Sequence, residues 1–372
     1  MRNLASVQKV LEVVPIEGAD RIELIKVLGW QCVVRKGLYK PGDLGIYIEI
    51  DSIVPDITIF EFMKERKYRV KTIKLRGEIS QGLFMSFDEM KLRNTKRLKE
   101  GTDLTNYLNI RKYEPEEEVV YQNKKKKSFW WKLVYAIPFL KCFRKHVGQG
   151  ASFPTHLVPK TDETRLQAFG SIFLEKYKDL EVSISIKMDG SSVSFILNKG
   201  KFSIASRNVW FIEKKDNNFC KLAEETNIAQ AMKKVFGKRN IVLQGEMCGP
   251  GIQGNKYNFD SLRFFLFGAF DSDKRQYFTP LELHTIYNDL IDNGVIIDEV
   301  KNLGNFKISD IGLTIEDWLK FASSKSEFNQ DTWNEGIVIR SLDNKPYGVR
   351  GMEGGRFSFK VVSNDFLLQY GL

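Results

Sequence analysis

Ser185-Ile186-Lys187-Met188-Asp189-Gly190 is the stretch on which the reading of this chain turns. Val182 to Ile186 reads as a short apolar strand. Asp189-Gly190 is a turn signal, so Lys187 ends that strand. A lysine held at a buried strand end is costly unless its charge is neutralised or used. Free lysine titrates near ~10.4, which leaves almost no neutral amine at pH 7. Nearby cations or desolvation lower that value toward ~7–8 and make the amine a nucleophile. Taken alone, Lys-x-Asp-Gly also fits a hairpin turn with an exposed lysine.

Working outward, five further segments follow in order. Ser206-Arg207-Asn208 closes the next strand but one. Gln244-Gly-Glu246 runs on into Met-Cys-Gly-Pro-Gly-Ile-Gln-Gly-Asn-Lys-Tyr257. Phe264 to Asp271 is an aromatic-rich strand. Asn334-Glu335-Gly-Ile-Val-Ile-Arg340 and Phe357-Ser-Phe-Lys360-Val-Val-Ser363 complete the set. Gly249-Pro-Gly251-Ile-Gln-Gly254 matches G-x-G-x-x-G, but Asn255-Lys-Tyr-Asn-Phe does not open the helix a dinucleotide site needs. No G-x-x-x-x-G-K-[ST] loop occurs.

Together these segments resemble the six ordered motifs of the nucleotidyltransferase superfamily, which contains polynucleotide ligases and capping enzymes. Only 12 residues follow Lys360, too few for the OB domain that DNA ligases and capping enzymes carry at that end. The N-terminal 110 residues read instead as short strands broken by Gly and Pro turns, with Leu44–Ile50 and Tyr68–Leu75 alternating. A small OB-type barrel is expected there. The fold class is α+β, with antiparallel sheets in residues 151–372, a helix over 222–236, and a linker over 111–150. This order resembles the RNA ligase family typified by the Deinococcus and Naegleria enzymes. Gly29-Trp30, Asp51 to Pro55, Lys67 to Gly77, and Pro159 to Gln167 extend the resemblance over most of the chain.

The resemblance implies ATP as the nucleotide, Mg²⁺ or Mn²⁺ as the metal, and an RNA or RNA/DNA nicked duplex as the partner. It implies that Lys187 takes AMP from ATP, passes it to a 5′-phosphate, and that a 3′-hydroxyl then expels it. It assigns Asp189, Asp271 and Glu335 to the metal and Glu246 to the ribose. Phe270 is assigned to the adenine face with Ile337 opposite. Arg207 and Lys360 are assigned to phosphate oxygens, and Lys160 and Arg165 to the outgoing pyrophosphate. Lys187, Glu246, Glu335 and Lys360 form the expected catalytic set. Phe264, Phe265, Phe267, Trp30 and Cys248 are read as packing residues. One departure is visible: Ser358 stands where many relatives have the first of two motif lysines, with Arg356 as a nearby substitute. Three rivals stay open: a DNA ligase of unusual domain order, a capping guanylyltransferase, and a non-catalytic nucleic-acid-binding module.

Composition sets the outer limits. The length of 372 residues predicts about two domains at ~150 residues each. Apolar content of 42% and charged content of 28% are those of a globular protein. Three histidines exclude histidine-rich metal sites, which suits phosphoryl transfer, a chemistry of positioning and charge neutralisation. Four scattered cysteines without C-x-x-C, and no apolar N-terminal core, point to a reducing cytoplasmic setting. No run approaches the ~20 apolar residues of a membrane helix, so no stable membrane association is expected. A monomer is expected. The formal charge of +10 suggests a polyanionic partner. Residues 121–150 hold eight of the Lys and Arg and no acid, including the Lys124–Lys127 run. That run reads equally as a solvated linker or a phosphate-binding patch.

Overall fold

The computed structural model describes residues 3–92, 95–113, 151–211, 217–349, 351–352 and 355–372. Of the expected linker over 111–150, residues 114–150, which include the Lys124–Lys127 run, lie outside the described residues. Among the described residues no helix is long and apolar enough to cross a membrane.

The N-terminal strands form small antiparallel sheets. Ala5–Lys9, Leu44–Ile48 and Leu83–Met85 make one; Glu12–Pro15, Ile22–Val27 and Trp30–Arg35 make a second; Thr72–Leu75 and Glu78–Gln81 make a hairpin. Trp30, Tyr47 and Phe60 are fully buried in their shared core. The expected strand over 68–75 is shorter, because Lys67 and Tyr68 both take positive φ and break the extended run before Thr72. Arg111–Lys112 pairs with Ser52–Ile53, so the chain is still bound to the N-terminal sheets there.

The C-terminal part contains two larger sheets. In a five-stranded sheet, Glu181–Lys187 lies between Asn302–Lys307 and Gly336–Ser341, and Ser358–Val362 pairs with the far side of Gly336–Ser341. In an eight-stranded sheet, Ser191–Asn198, Ile241–Cys248 and Arg263–Asp271 are neighbours. The chain passes from the first sheet to the second across Met188-Asp189-Gly190. A Cβ at Gly190 would sit 2.3 Å from the Met247 carbonyl oxygen, so only glycine permits this close crossing. Each sheet has its own core: helices Asn218–Glu225, Ile228–Phe236 and Pro280–Asp292 cover the larger sheet, while Ile184, Trp318 and Phe359 fill the core behind the smaller one. The expected helix over 222–236 is two helices, separated at Thr226-Asn227, where Asn227 is left-handed.

Strand periodicity then orients the site. Val182, Ile184, Ile186, Ile337, Ile339, Phe359 and Val361 point into the core behind the five-stranded sheet. Ser185, Lys187, Val338, Arg340 and Lys360 fall on the opposite face and line a cavity of about 360 Å³. The N-terminal sheets close this cavity on another side through Asp51, Arg69, Lys112 and Tyr113. Val362 and Leu367 are buried in the N-terminal core, so the chain's last elements tie the two parts together.

Candidate active site

Lys187 reaches the cavity floor with its side chain 22% exposed, and its Nζ donates to Glu335 Oε2 at 2.6 Å. Glu335 arrives from the turn before the neighbouring strand, where Gly336 faces Lys187 in register. Gly336 has φ of +150°, and a Cβ there would strike the Val361 carbonyl oxygen at 2.1 Å. Asp189, on the inter-sheet turn, is paired with Lys256, whose Nζ lies 4.8 Å from the Tyr370 ring centroid. The Asp189 backbone N–H donates to the Tyr257 hydroxyl at 2.8 Å. Glu246 enters from the eight-stranded sheet, opposite Ser192.

Charge decides the state of this group. Burial works against the charged form of Lys187, but Glu335 and Glu246 outweigh it and raise its pKa above the ordinary lysine value. The expected depression toward neutrality is therefore not present in this ligand-free arrangement, because the surrounding charges are carboxylates. Burial, then Glu335, pushes Asp189 up to about 6. Burial lifts Glu246 up to about 8, with Lys187 opposing. Three buried carboxylates thus share too little positive charge.

A second group sits beside it. Asp162 accepts from Lys360 Nζ at 3.2 Å, pairs with Lys112, and lies 3.8 Å from Arg207. Burial would raise the Asp162 pKa, but Lys360, Lys112 and Arg207 hold it well below the usual carboxylate range. Glu163 accepts from Arg340 at 3.2 Å and Arg356 at 3.5 Å, with the Ser358 hydroxyl also 3.5 Å away. Arg165, 5% exposed, donates to Asp51 Oδ2 at 2.8 Å across the domain junction, while its Nε and Nη1 have no partner. Arg69 reaches the same carboxylate at 3.4 Å and stacks 3.6 Å from the Tyr113 ring centroid. Lys160 is exposed at the rim and donates to Asn208 at 2.8 Å.

Lys187, Asp189, Glu246, Glu335, Arg207, Lys360, Lys160 and Arg165 are therefore brought to one cavity. Three expected residues are not. Asp271 lies at the other end of its strand: it faces Ile241, whereas Phe265 faces Glu246. Five residues of strand separate the two positions by roughly 17 Å. Its carboxylate instead accepts the N–H groups of Asp273 and Lys274 and pairs with Arg239 at 3.2 Å. The expected trio Asp189, Asp271 and Glu335 is not assembled, and no group of three His, Cys, Asp or Glu that could hold a metal ion occurs among the described residues. Phe270 is 1% exposed and packs edge-on to Tyr277 at 4.9 Å in a separate cluster. Ile337 points into the core, and its neighbour Val338 lines the cavity.

Phe267, read above as packing, is the aromatic that lines the cavity from this strand. Gln244 pairs with Gly268 and Gly245 with Leu266, leaving Phe267 as the extra residue of a β-bulge. A bulge redirects the side chain it carries, and Arg340 stands 5.6 Å from the Phe267 ring. Asp162, Glu163, Lys112 and Lys256 are also members the sequence reading missed. The two acids stand between Lys160 and Arg165 in the sequence, and local pattern does not show that they face the same cavity. Arg356 is engaged by Glu163 and by the Tyr277 ring at 3.8 Å. Arg340, directly across the strands from Ser358, lines the cavity beside Arg69, Arg165 and Arg207.

Two antiparallel sheets meeting at a lysine-bearing seam, behind a small N-terminal barrel, form the architecture of a nucleotidyltransferase of the ligase class. The RNA ligase family matches residues 180–362, and an OB-fold domain family matches residues 4–87. A structure titled as Naegleria gruberi RNA ligase with pyrophosphate is 30% identical and superposes with a TM-score of 0.81, covering 99% of this chain and 98% of that one. A variant of the same ligase with AMP and manganese, at 30% identity and a TM-score of 0.80, covers 98% of both chains. Another variant with ATP and manganese gives the same identity and score. No curated protein sequence matches the chain. The chain belongs to the RNA ligase family, in the arrangement where the OB-fold domain precedes the nucleotidyltransferase domain.

Proposed function

We propose that the chain is an ATP-dependent RNA ligase that seals 3′-hydroxyl/5′-phosphate breaks, acting on nicks in duplexes with RNA on the 3′ side. The single observation that carries this reading is Lys187 on the cavity floor, 2.6 Å from Glu335, with carboxylates on one side and Lys360 and Arg207 on the other. Family membership supports RNA ligation, and the relatives' structures with ATP, AMP and pyrophosphate support the nucleotide.

In the first step the Lys187 Nζ lone pair attacks the α-phosphorus of ATP. A P–N bond forms, the bond to the bridging oxygen breaks, and pyrophosphate leaves. The amine must lose a proton to do this, and Glu335 is within transfer distance. The carboxylates favour the ammonium, so the attack requires added positive charge beside them. Asp189 and Glu335 offer hard oxygen donors that suit Mg²⁺ or Mn²⁺ held largely through water. When bound, that ion neutralises phosphate charge and favours the neutral amine. Glu246 is assigned to the ribose hydroxyls and Phe267 to one face of the adenine. Lys360 and Arg207 exchange Asp162 for phosphate oxygens, and Arg165 and Lys160 lie on the side where pyrophosphate departs. A 5′-phosphate oxygen then attacks the α-phosphorus, the P–N bond breaks, and the Lys187 amine leaves and takes up a proton as AMP joins the 5′-end. The 3′-hydroxyl oxygen finally attacks the phosphorus of that activated 5′-phosphate, and AMP leaves as the new phosphodiester forms.

The test is covalent labelling. Incubation with α-labelled ATP and Mg²⁺ or Mn²⁺ is expected to leave label on the denatured chain, and Lys187→Ala is expected to abolish it. Labelled enzyme should then seal a nick with RNA at the 3′ side faster than an all-DNA nick. Label from GTP alone, or a folded protein that takes no label, would sink the reading. Equal sealing of all-DNA nicks would move it to DNA ligation.

A further inference from the structure

One strongly charged surface is not used by the nucleotide cavity. From Lys64 to Arg76 the chain carries seven cations and one acid, Glu65. Lys64, Arg66, Lys67, Lys74 and Arg76 are exposed, and among the described residues none of them makes an ion pair. The segment is anchored at its middle. Arg69 turns into the cavity against Tyr113, Lys71 donates to the Gly371 carbonyl at 2.9 Å, and the Thr72 N–H donates to the Leu372 carbonyl at 3.0 Å. The strip therefore begins at the cavity wall and runs out over the N-terminal domain in both directions. Burial, then Arg69 and Lys67, lowers the Lys71 pKa below the usual lysine value, which shows like charges crowded together. Two acids beside the strip are engaged, Asp56 by the Tyr68 hydroxyl and Asp51 by Arg69 and Arg165, which leaves Glu65 as the one acid against the seven cations of the segment itself.

Crowded, uncompensated cations repel one another and weaken the compact state. Arg76 adds a backbone cost, since it occupies the first central position of a two-residue hairpin turn with φ of 51°, followed by Gly77 at 88°. Asparagine or aspartate usually serves there. The run from Arg69 to Arg76 covers about 20 Å at strand spacing, the axial length of roughly six nucleotides of one strand. Phe62, 62% exposed on the adjoining 3₁₀ segment Thr58–Arg66, offers an apolar ring beside the charges.

We propose that the Lys64–Arg76 strip is the track for the phosphate backbone flanking the break, delivering the strand to the cavity at Arg69. The assignment rests on the ligase reading and adds the surface on which the nucleic acid lies. Charge complementarity selects the occupant. The cations follow one another from the end of the 3₁₀ segment to the hairpin turn, and the strip is continuous at Arg69 with the site where a phosphate end must react.

The test uses the full chain and a fluorescent nicked duplex with RNA at the 3′ side, with binding measured across a KCl series. Lys64→Gln/Arg66→Gln/Lys67→Gln should make the log–log salt slope shallower by about two to three, and Lys74→Gln/Arg76→Gln by about one to two. Affinity should fall tenfold or more in each. Lys233→Gln/Lys234→Gln/Lys238→Gln, on a distant exposed stretch, should leave the slope alone. Labelling of Lys187 by ATP uses no nucleic acid and is followed in every variant. If wild-type chain takes no label, the ligase reading fails while the slopes still report on the strip. Unchanged slopes in both strip variants, or an equal fall in the control, would overturn the track. So would strip variants that lose binding to an acidic peptide or to anionic vesicles but keep the duplex. Should the triple variant lose labelling too, Lys64→Arg/Arg66→Lys/Lys67→Arg decides: retained duplex affinity supports the track, and lost affinity refutes it.

Discussion

Phe267 and Phe270 separate recognition from packing at the scale of single residues. Phe267→Ala is expected to raise the KM for ATP in the labelling reaction about tenfold with little change in Tm. Phe270→Ala should instead cost about 3–5 kcal/mol of stability, as large-to-small changes in a core do, with nucleotide affinity retained in the folded fraction. The reverse pattern would restore Phe270 as the adenine contact. Glu163 gives a pH prediction. Burial opposes its charged form, but Arg340 and Arg356 bring it down to about 2 from an ordinary 4.5. A carboxylate with a depressed folded pKa adds stability that is complete above the unfolded value and disappears as pH falls through the folded one. Wild type should therefore lose up to about 3 kcal/mol from this group between roughly pH 4.5 and 2. Denaturant melts of Glu163→Gln should be less steep in that window. A wild-type slope in the variant would mean that Arg340 and Arg356 find equal partners elsewhere.

The decisive element is the strand Arg263–Asp271, because its bulge turns Phe267 toward the cavity while leaving Asp271 at the far end. Asp271 there closes a turn and holds Arg239. Asp271→Asn should cost about 1.5–3 kcal/mol of stability, the usual range for hydrogen bonds to a charged group. Its Mg²⁺ or Mn²⁺ requirement for labelling should match wild type. A raised metal requirement would return Asp271 to the metal site. The inter-sheet turn carries a related prediction. Gly190→Ala places a methyl 2.3 Å from the Met247 carbonyl, so the turn must shift and carry Lys187 and Asp189 with it. Labelling should fall at least a hundredfold, since small displacements of a reacting group cost rates of that order. Full labelling in this variant would show that the crossing is more pliant than its packing implies.

Over the whole molecule, the two domains are joined through the C-terminal helix Asn364–Tyr370, whose Leu367 is buried in the N-terminal core. The preceding strand carries Lys360, so the docking of this helix positions a cavity residue. Leu367→Ala should destabilise the fold by about 2–5 kcal/mol. Limited proteolysis should then cut the chain between the domains sooner than in wild type, and labelling should drop. Cleavage kinetics identical to wild type would mean that the ion pairs Asp51–Arg165 and Lys112–Asp162 suffice to hold the junction.

Several features were determined by the sequence alone because they rest on local chemistry. The short apolar run before Lys187 marks a strand, and Asp189-Gly190 marks its end. Glu335-Gly336 and Lys360 were legible through the ordered motifs they belong to, each beside a short apolar run. Ile337 failed by one residue of parity, since only the pairing with Ser185 and Lys360 shows that Val338 is the inward neighbour. Phe267 was hidden for a stronger reason: a bulge is defined by the partner strand, and Gln244 and Gly245 leave no local mark of the residue they skip. The resemblance assigns Asp271 to the metal, yet distance along its strand counts only once the register with Glu246 is known. Lys187's charge state likewise depends on carboxylates brought from three separate elements. Strand identity is a property of neighbouring residues, whereas register, bulges and buried electrostatics belong to the assembled sheets.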